Sequence, residues 1–347
     1  MRDFGYARAG TAASAAAALA DPGASAIAGG TELLNWFRLG IAAADRVVDI
    51  GGLDELHGIA LEGSVLEGGE LRIGALATLN EVGEHPLVTR LAGALASACL
   101  QAASAQVRNR ATIGGNVLQR TRCPYFRAEE PVPWPCNKRH PGSGCAALAG
   151  RHERQAVFGW TGDCVAVQPS DPAVALAVLD ARAEVLGPAG TRTIPMREFH
   201  LTQQEAAVGG EPMRETRLGP GELIIGYRLP ASADGQAYIK VRERASYEYA
   251  IVSAAATVRP AEGPGGSRIA AARVALGSVA QRPWRLPAAE AELPGTALTR
   301  EALTPVIERA MADAAPLPQN GFKVTMARNA AVRALLRAAE LTAGGHL

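Results

Sequence analysis

No stretch of this 347-residue chain approaches the roughly 18 consecutive apolar residues that a membrane-spanning helix needs. It carries no charge excess either: 35 Lys and Arg face 34 Asp and Glu, a formal charge of +1. That removes any global electrostatic reason to bind nucleic acid or an anionic membrane. Cysteine is scarce, five residues in all, so no disulfide framework is required, and a chain of this length buries a large core without one. The common sequence fingerprints are missing as well. There is no Gly-x-Gly-x-x-Gly and no Gly-Lys-Ser/Thr phosphate loop, so neither usual nucleotide motif applies. Without His-Glu-x-x-His or Gly-x-Ser-x-Gly, hydrolase chemistry has no foothold, and Gly142-Ser143-Gly144 reads as a turn. With 48% hydrophobic and 20% charged residues the chain is folded rather than disordered, and its length suggests two or three domains. The Ala-rich start reads as a helix leading into a strand, not as a cleaved signal, because alanine is weakly apolar and Asp3 occupies the would-be basic region.

Periodicity and turn chemistry place the elements. Residues 11–20 predict a helix, Ala26-Ile27-Ala28 a strand, 33–39 a helix and 46–50 a second strand, which together make a small α/β unit. Leu71 to Ala75 alternates like a strand, and Thr78 with Glu81 three residues on is a capping box. Leu91, Leu95, Cys99 and Ala102 recur at helical spacing, which makes Cys99 a packed core thiol. Residues 120–164 are irregular. Beyond them come a helix from Asp171 to Leu179 and strands near 183–186, 223–225, 238–241, 251–258 and 269–276, with Gly263 to Ser267 as a hairpin turn. Helices at 300–314 and 326–341 close the chain, and a boundary falls near 232.

Two glycine pairs, Gly29-Gly30-Thr31 and Gly114-Gly115-Asn116, each interrupt a strand-like run. Glycine lets backbone N–H groups approach a phosphate, and consecutive N–H groups form an anion-binding concavity. Two such loops could hold both phosphates of a dinucleotide; the plainer reading of each is a tight turn. Four of the five cysteines, Cys123, Cys136, Cys145 and Cys164, fall within 42 residues. Four converging thiolates suit zinc or an iron–sulfur cluster, while the spacing, which lacks Cys-x2-Cys, leaves two disulfides or four unrelated thiols open. Between Arg120 and Gln155 seven Lys and Arg outnumber three Glu, and such surroundings are expected to lower thiol pKa values. An irregular stretch of some 40 residues also calls for a tie, which a metal would supply.

These motifs occur in a familiar order. Ala28-Gly29-Gly30-Thr31-Glu32-Leu33-Leu34, Ile73-Gly74-Ala75-Leu76-Ala77-Thr78-Leu79 and Gln106 to Asn116 resemble the FAD-binding subunits of the xanthine dehydrogenase and carbon monoxide dehydrogenase family. Pro169-Ser170-Asp171 and Tyr238-Ile239-Lys240 resemble that family's later FAD contacts, and the likeness spans residues 3–340. Asn116 to Cys164 departs from the usual pattern: Gln119 to Cys123, Cys136 to Arg139 and Pro141 to Cys145 resemble the FAD subunit of bacterial periplasmic aldehyde oxidoreductases, whose insertion binds an additional [4Fe-4S] cluster.

The resemblance implies an α+β chain with a two-part FAD-binding domain of the CO dehydrogenase flavoprotein (PCMH-like) type, divided as 1–57 and 58–231. An iron–sulfur insertion would occupy 117–168, and a C-terminal α+β domain with a three-stranded sheet 232–347. It implies that Ala28, Gly29, Gly30, Thr31 and Glu32 wrap the FAD pyrophosphate, with Thr112, Gly114, Gly115 and Asn116 as the opposing phosphate loop. Ser170 and Asp171 would lie beside the flavin, Ile224 pack near it, Lys240 supply positive charge, and Ala102 and Ala103 lie on the adenine side. Cys123, Cys136, Cys145 and Cys164 would ligate the [4Fe-4S] cluster. It further implies an electron-transfer subunit with a molybdenum-cofactor large partner and a small partner holding two [2Fe-2S] clusters. Such a chain stays in the cytoplasm or leaves it folded with a signal-bearing partner. A non-catalytic, metal-stapled scaffold subunit and an independent FAD reductase of related fold are the competing readings.

Overall fold

The computed structural model describes residues 2–211, 213–261 and 268–342. The N-terminal unit holds β1 (Gly5–Arg8), α1 (Ala12–Leu19), β2 (Ala24–Ile27), α2 (Leu33–Arg38) and β3 (Arg46–Asp49), with its strands parallel in the order β1-β3-β2. Thr11 starts α1 by accepting from the Ser14 amide, and Ala12 and Ala15 bury their face against Val48 and Ile50.

The middle unit is an antiparallel sheet of β4 (Ile59–Glu62), β5 (Glu70–Gly74), β6 (Arg182–Gly187), β7 (Gly190–Pro195) and β8 (Leu223–Pro230), ordered β4-β5-β8-β6-β7. Its first helices are α3 (Leu79–Glu84), α4 (Pro86–Leu91), α5 (Gly93–Gln101), α6 (Ala105–Arg108) and α7 (Ile113–Val117). Then come α8 (Ala146–Ala149), α9 (Asp171–Val178), α10 (Met196–Phe199) and α11 (Gln203–Val208). The expected Thr78–Glu81 capping box is present. Cys99 is fully buried in this core, where desolvation pushes its thiol well up and keeps it neutral. The α9 helix is buried along its whole length, which explains its nearly unbroken apolar run.

The C-terminal unit pairs β9 (Gly235–Val241), β10 (Val252–Pro260) and β11 (Ile269–Gly277), the three expected strands, and a two-residue strand β12 (Trp284–Arg285) extends the edge. The helices α12 (Pro287–Glu292), α13 (Arg300–Ala310) and α14 (Phe322–Thr342) follow; α14 lies on β9 and β10, while α5 and α9 pack against the same sheet. The expected hairpin turn at 263–267 lies outside the described residues. Residues 118–168 cross between the units with α8 as their one helix, and Val157 and Phe158 enter the C-terminal core. No described helix is long and apolar enough to cross a membrane.

Candidate cofactor site

The first glycine pair joins β2 to α2. Gly30 has φ +74°, a conformation in which a Cβ is strained. At Gly29 the limit is space: a Cβ there would sit 1.7 Å from the Arg110 carbonyl oxygen. Among the described residues the amides of Gly29, Gly30, Thr31 and Glu32 donate to no protein acceptor. Four successive free N–H groups on one bend form the concavity that binds anions.

The second pair behaves differently. The Ala111–Val117 run reads as a strand, yet Thr112 caps the short helix α7 and accepts from the Gly115 amide at 3.2 Å. Ile113 donates to the Ala77 carbonyl (2.9 Å), Gly114 to Ala75 (2.9 Å) and Asn116 to Thr112 (2.8 Å). The two bends are therefore not equivalent. Only the first bend offers amides, and the second offers the Thr112 and Gly115 surface and the Asn116 side chain, which accepts from the Ser170 hydroxyl at 2.7 Å.

The two bends face one cavity of about 610 Å³. That volume falls in the ~300–1,000 Å³ range of small-molecule and cofactor sites. Of the residues singled out in the sequence, Ala28, Gly29, Gly30, Thr31, Glu32, Ala102, Ala103, Thr112, Gly115, Asn116, Asp171 and Lys240 line it. Gly114 backs onto Ala75, Ser170 caps α9, and Ile224 is buried in the core of the middle unit opposite Val185. None of these three is on the wall.

Sequence reasoning missed several lining groups. The indole N–H of Trp36 and the Nε–H of Arg122 are buried on the wall without an acceptor among the described residues. Tyr247 and Tyr249, from the β9–β10 loop, complete it. Nothing local in the sequence marks them, because they reach the cavity from α2, the insertion and the C-terminal unit.

On the cavity wall Lys240 Nζ pairs with Asp171 Oδ2 at 2.7 Å and donates to the Gln101 carbonyl at 3.0 Å, while the Tyr238 hydroxyl donates to Asp171 Oδ1. Burial pushes the Asp171 carboxyl up, and Lys240 and Tyr238 pull it back. The expected positive charge at Lys240 is thus matched locally by Asp171.

A model of the FAD binding domain in molybdopterin dehydrogenase matches residues 2–232, and one of the CO dehydrogenase flavoprotein C-terminal domain matches 237–338. The chain belongs to the FAD-binding subunits of the molybdenum hydroxylase family. It is 42% identical to the aldehyde oxidoreductase FAD-binding subunit PaoB of Escherichia coli (strain K12), over 97% of this chain and 99% of that one. It is 28% identical to the carbon monoxide dehydrogenase medium chain of Hydrogenophaga pseudoflava, over 90% and 88% of the two chains. A solved carbon monoxide dehydrogenase from Hydrogenophaga pseudoflava superposes with a TM-score of 0.72 at 28% identity, covering 98% of each chain. A molybdenum hydroxylase FAD subunit is an oxidoreductase subunit, and FAD is the cofactor its binding domain serves. The cavity suits FAD: the free amides suit an anionic group, and the unpartnered donors of Trp36 and Arg122 await acceptors.

Beside the cavity this FAD subunit carries its cysteine-rich insertion. Cys123, Cys136, Cys145 and Cys164 are all free thiols and line one small pocket, with Cys136 and Cys145 on facing backbone segments. Among the described residues no three or more His, Cys, Asp or Glu side chains close on a point as a single metal ion requires. Zinc would need sulfurs about 3.8 Å apart, given its ~2.3 Å bonds in a tetrahedron.

The expectation of lowered thiol pKa values is corrected. Burial pushes Cys123 and Cys136 up, and Cys164 up to about 12. The nearby cations are largely spent on acids: Arg122 and Arg127 pair with Glu32, Arg120 and Lys138 with Glu215, and Arg139 with Glu130. Lys138 alone is close enough to pull Cys164 back appreciably.

Proposed function

We propose that this chain is the FAD- and [4Fe-4S]-containing electron-transfer subunit of a molybdenum-dependent aldehyde oxidoreductase. In that reading its partners are a molybdenum-cofactor large subunit that oxidises the aldehyde and a small subunit with two [2Fe-2S] clusters. The observation that carries the reading is the row of unpaired amides from Gly29 to Glu32 opening into a cavity of cofactor size. The near full-length likeness to an aldehyde oxidoreductase FAD-binding subunit supports the substrate class.

When bound, FAD takes up electrons from one-electron donors and passes them on in pairs. The protein's part is to bind and orient. The amides of the first bend and the Arg122 and Trp36 donors hold the anionic and polar portions, and Asn116, fixed by Ser170, braces the opposite wall. The Asp171–Lys240 pair gives a rigid polar wall with no net charge, and Tyr247 and Tyr249 shield it from solvent.

The domain limits 1–57, 58–231 and 232–347, and the contacts of Gly114, Ser170 and Ile224 with FAD, belong to the same proposal. There those three residues act from behind the wall. A [4Fe-4S] cluster takes four thiolates and supplies one-electron chemistry or a cross-link. Four free thiols lining one pocket support it, and the irregular loop around them favours a structural tie.

The test is co-purification with cofactor analysis. Flavin absorption with a broad iron–sulfur shoulder, in a complex that also contains molybdenum, is the expected result. A colourless zinc protein would favour a scaffold, and flavin alone with activity in the isolated chain an independent reductase.

A further inference from the structure

The insertion grips α2 at both ends. Glu32, the residue preceding α2, accepts two bonds from Arg127 (Nη1–Oε2 3.1 Å, Nη2–Oε1 3.2 Å) and a third from Arg122 Nη2. At the other end Arg139 Nη2 donates to the Leu39 carbonyl at 3.0 Å, and the Glu130 side chain packs over Gly40 and pairs with Arg139 at 2.5 Å. Arg127 and Arg139 sit in turns closed by two of the four pocket cysteines: the Cys123 carbonyl accepts from the Arg127 amide at 3.0 Å, and the Cys136 carbonyl from the Arg139 amide at 2.9 Å. Further bonds fix them, Arg127 on the Thr121 and Arg120 carbonyls and Arg139 Nη1 on those of Phe126 and Ala128.

Apart from the insertion, α2 is held by one small apolar cluster, in which Phe37 and Leu33 meet Phe4, Ile27, Ala42, Ala44 and Val47. The helix is six residues long, Phe37 is its one buried residue, and Leu34 is 47% exposed. Yet it carries the bend whose amides face the cavity, and the end of that bend is Glu32 itself. A short helix cannot hold its own position by propensity. A bidentate, charge-assisted pair at 13% and 15% exposure is a stronger anchor than a surface ion pair.

We propose that the insertion is a clamp on α2, with Glu32, Arg127 and Arg139 as its positioning residues, so that retention of FAD is coupled to the integrity of the four-cysteine cage. This rests on the reading that FAD fills the cavity and a cluster fills the cage. Disturbing the cage shifts the Cys123 and Cys136 turns, frees α2 and loosens the phosphate bend. Linkage makes the coupling reciprocal: bound FAD holds the cage together by the same factor.

The test uses the complex as isolated and follows FAD release by the rise in flavin fluorescence after dilution, alongside FAD and iron per chain. Glu32→Gln should release FAD about tenfold faster with its iron unchanged, within the ~5–150-fold span of such couplings. Arg139→Met, at the other end of the helix, should do the same, which guards against a fold defect peculiar to one variant. Cys136→Ser, which removes this chain's cluster and leaves the partner's [2Fe-2S] iron in place, should also speed release about tenfold, but should add little in Glu32→Gln, because the clamp is already open there. Release at the unmutated rate in both variants, or in Cys136→Ser, overturns the clamp. A complex whose iron is fully accounted for by the partner's [2Fe-2S] clusters refutes the underlying reading of the cysteine pocket. A complex with no FAD at all instead refutes the underlying reading of the cavity.

Discussion

Replacing Gly29 by Ala adds one methyl group where the structure has no room for it. The new Cβ would stand 1.7 Å from the Arg110 carbonyl oxygen and 2.6 Å from its carbon. A carbon–oxygen contact normally sits at ~3.3 Å or more. One of the two backbones must therefore retreat by about 1.6 Å, and neither is a side chain that can swing aside. The Arg110 segment leads straight into Ala111 and Thr112, so the substitution pries apart the two walls that face the cavity. Overpacking of this kind costs typically ~1–3 kcal/mol. If that strain is relieved when the walls separate, FAD affinity falls by about 5- to 150-fold, at ~1.4 kcal/mol per tenfold. The assay is FAD per chain after gel filtration, with the dissociation constant from flavin fluorescence on re-addition. Gly52→Ala is the control, since a Cβ there meets nothing within 4 Å. Full FAD occupancy and unchanged affinity in Gly29→Ala would refute the argument that this bend must approach Arg110 closely to hold the cofactor.

Three further outcomes are expected. Lys240→Met leaves the Asp171 carboxylate buried without its cation, which should cost roughly 3–5 kcal/mol of stability at neutral pH; Lys240→Met with Asp171→Asn should recover part of this in urea unfolding, and equal losses in both variants would sink the pairing. Burial pushes the Glu215 carboxyl up, but Lys138 at 2.7 Å and Arg120 at 3.2 Å outweigh it and hold it at about 2. The folded-state value lies below the ordinary one, so this contribution is complete above pH ~4.5 and is lost as pH falls toward 2. At ~1.4 kcal/mol per pH unit it amounts to roughly 3 kcal/mol, which Glu215→Gln should remove, flattening the acid limb of the stability curve; an unchanged limb would contradict it. Cys136→Ser should lower the iron of the complex by about four per FAD-binding chain and lower the melting temperature, and unchanged iron would dismiss the cysteine pocket as a cluster site.

What the sequence determined by itself is mostly local. Thr78 with Glu81 announces its capping box, Ser170 before Asp171-Pro172 announces the start of α9, and Gly30 marks a bend with positive φ, which strains any side chain. Each of these follows from backbone sterics and hydrogen bonds a few residues apart. Motif order added the family, and named many of the residues that line the cavity.

Tertiary structure decided the rest, because the deciding partners lie far along the chain. The second bend looked equivalent to the first until its amides met the Ala75 and Ala77 carbonyls, which are strand-end groups some forty residues earlier. The cations around the cysteines looked free until Glu32 and Glu215, each more than 70 residues away, neutralised them and left burial to set the thiols. Ile224 is apolar and strand-borne, and only the sheet register sends it into the core instead of the cavity. A local pattern specifies which backbone groups need partners; only the folded chain assigns those partners, and that assignment leaves the amides of one glycine bend open and ties up those of the other.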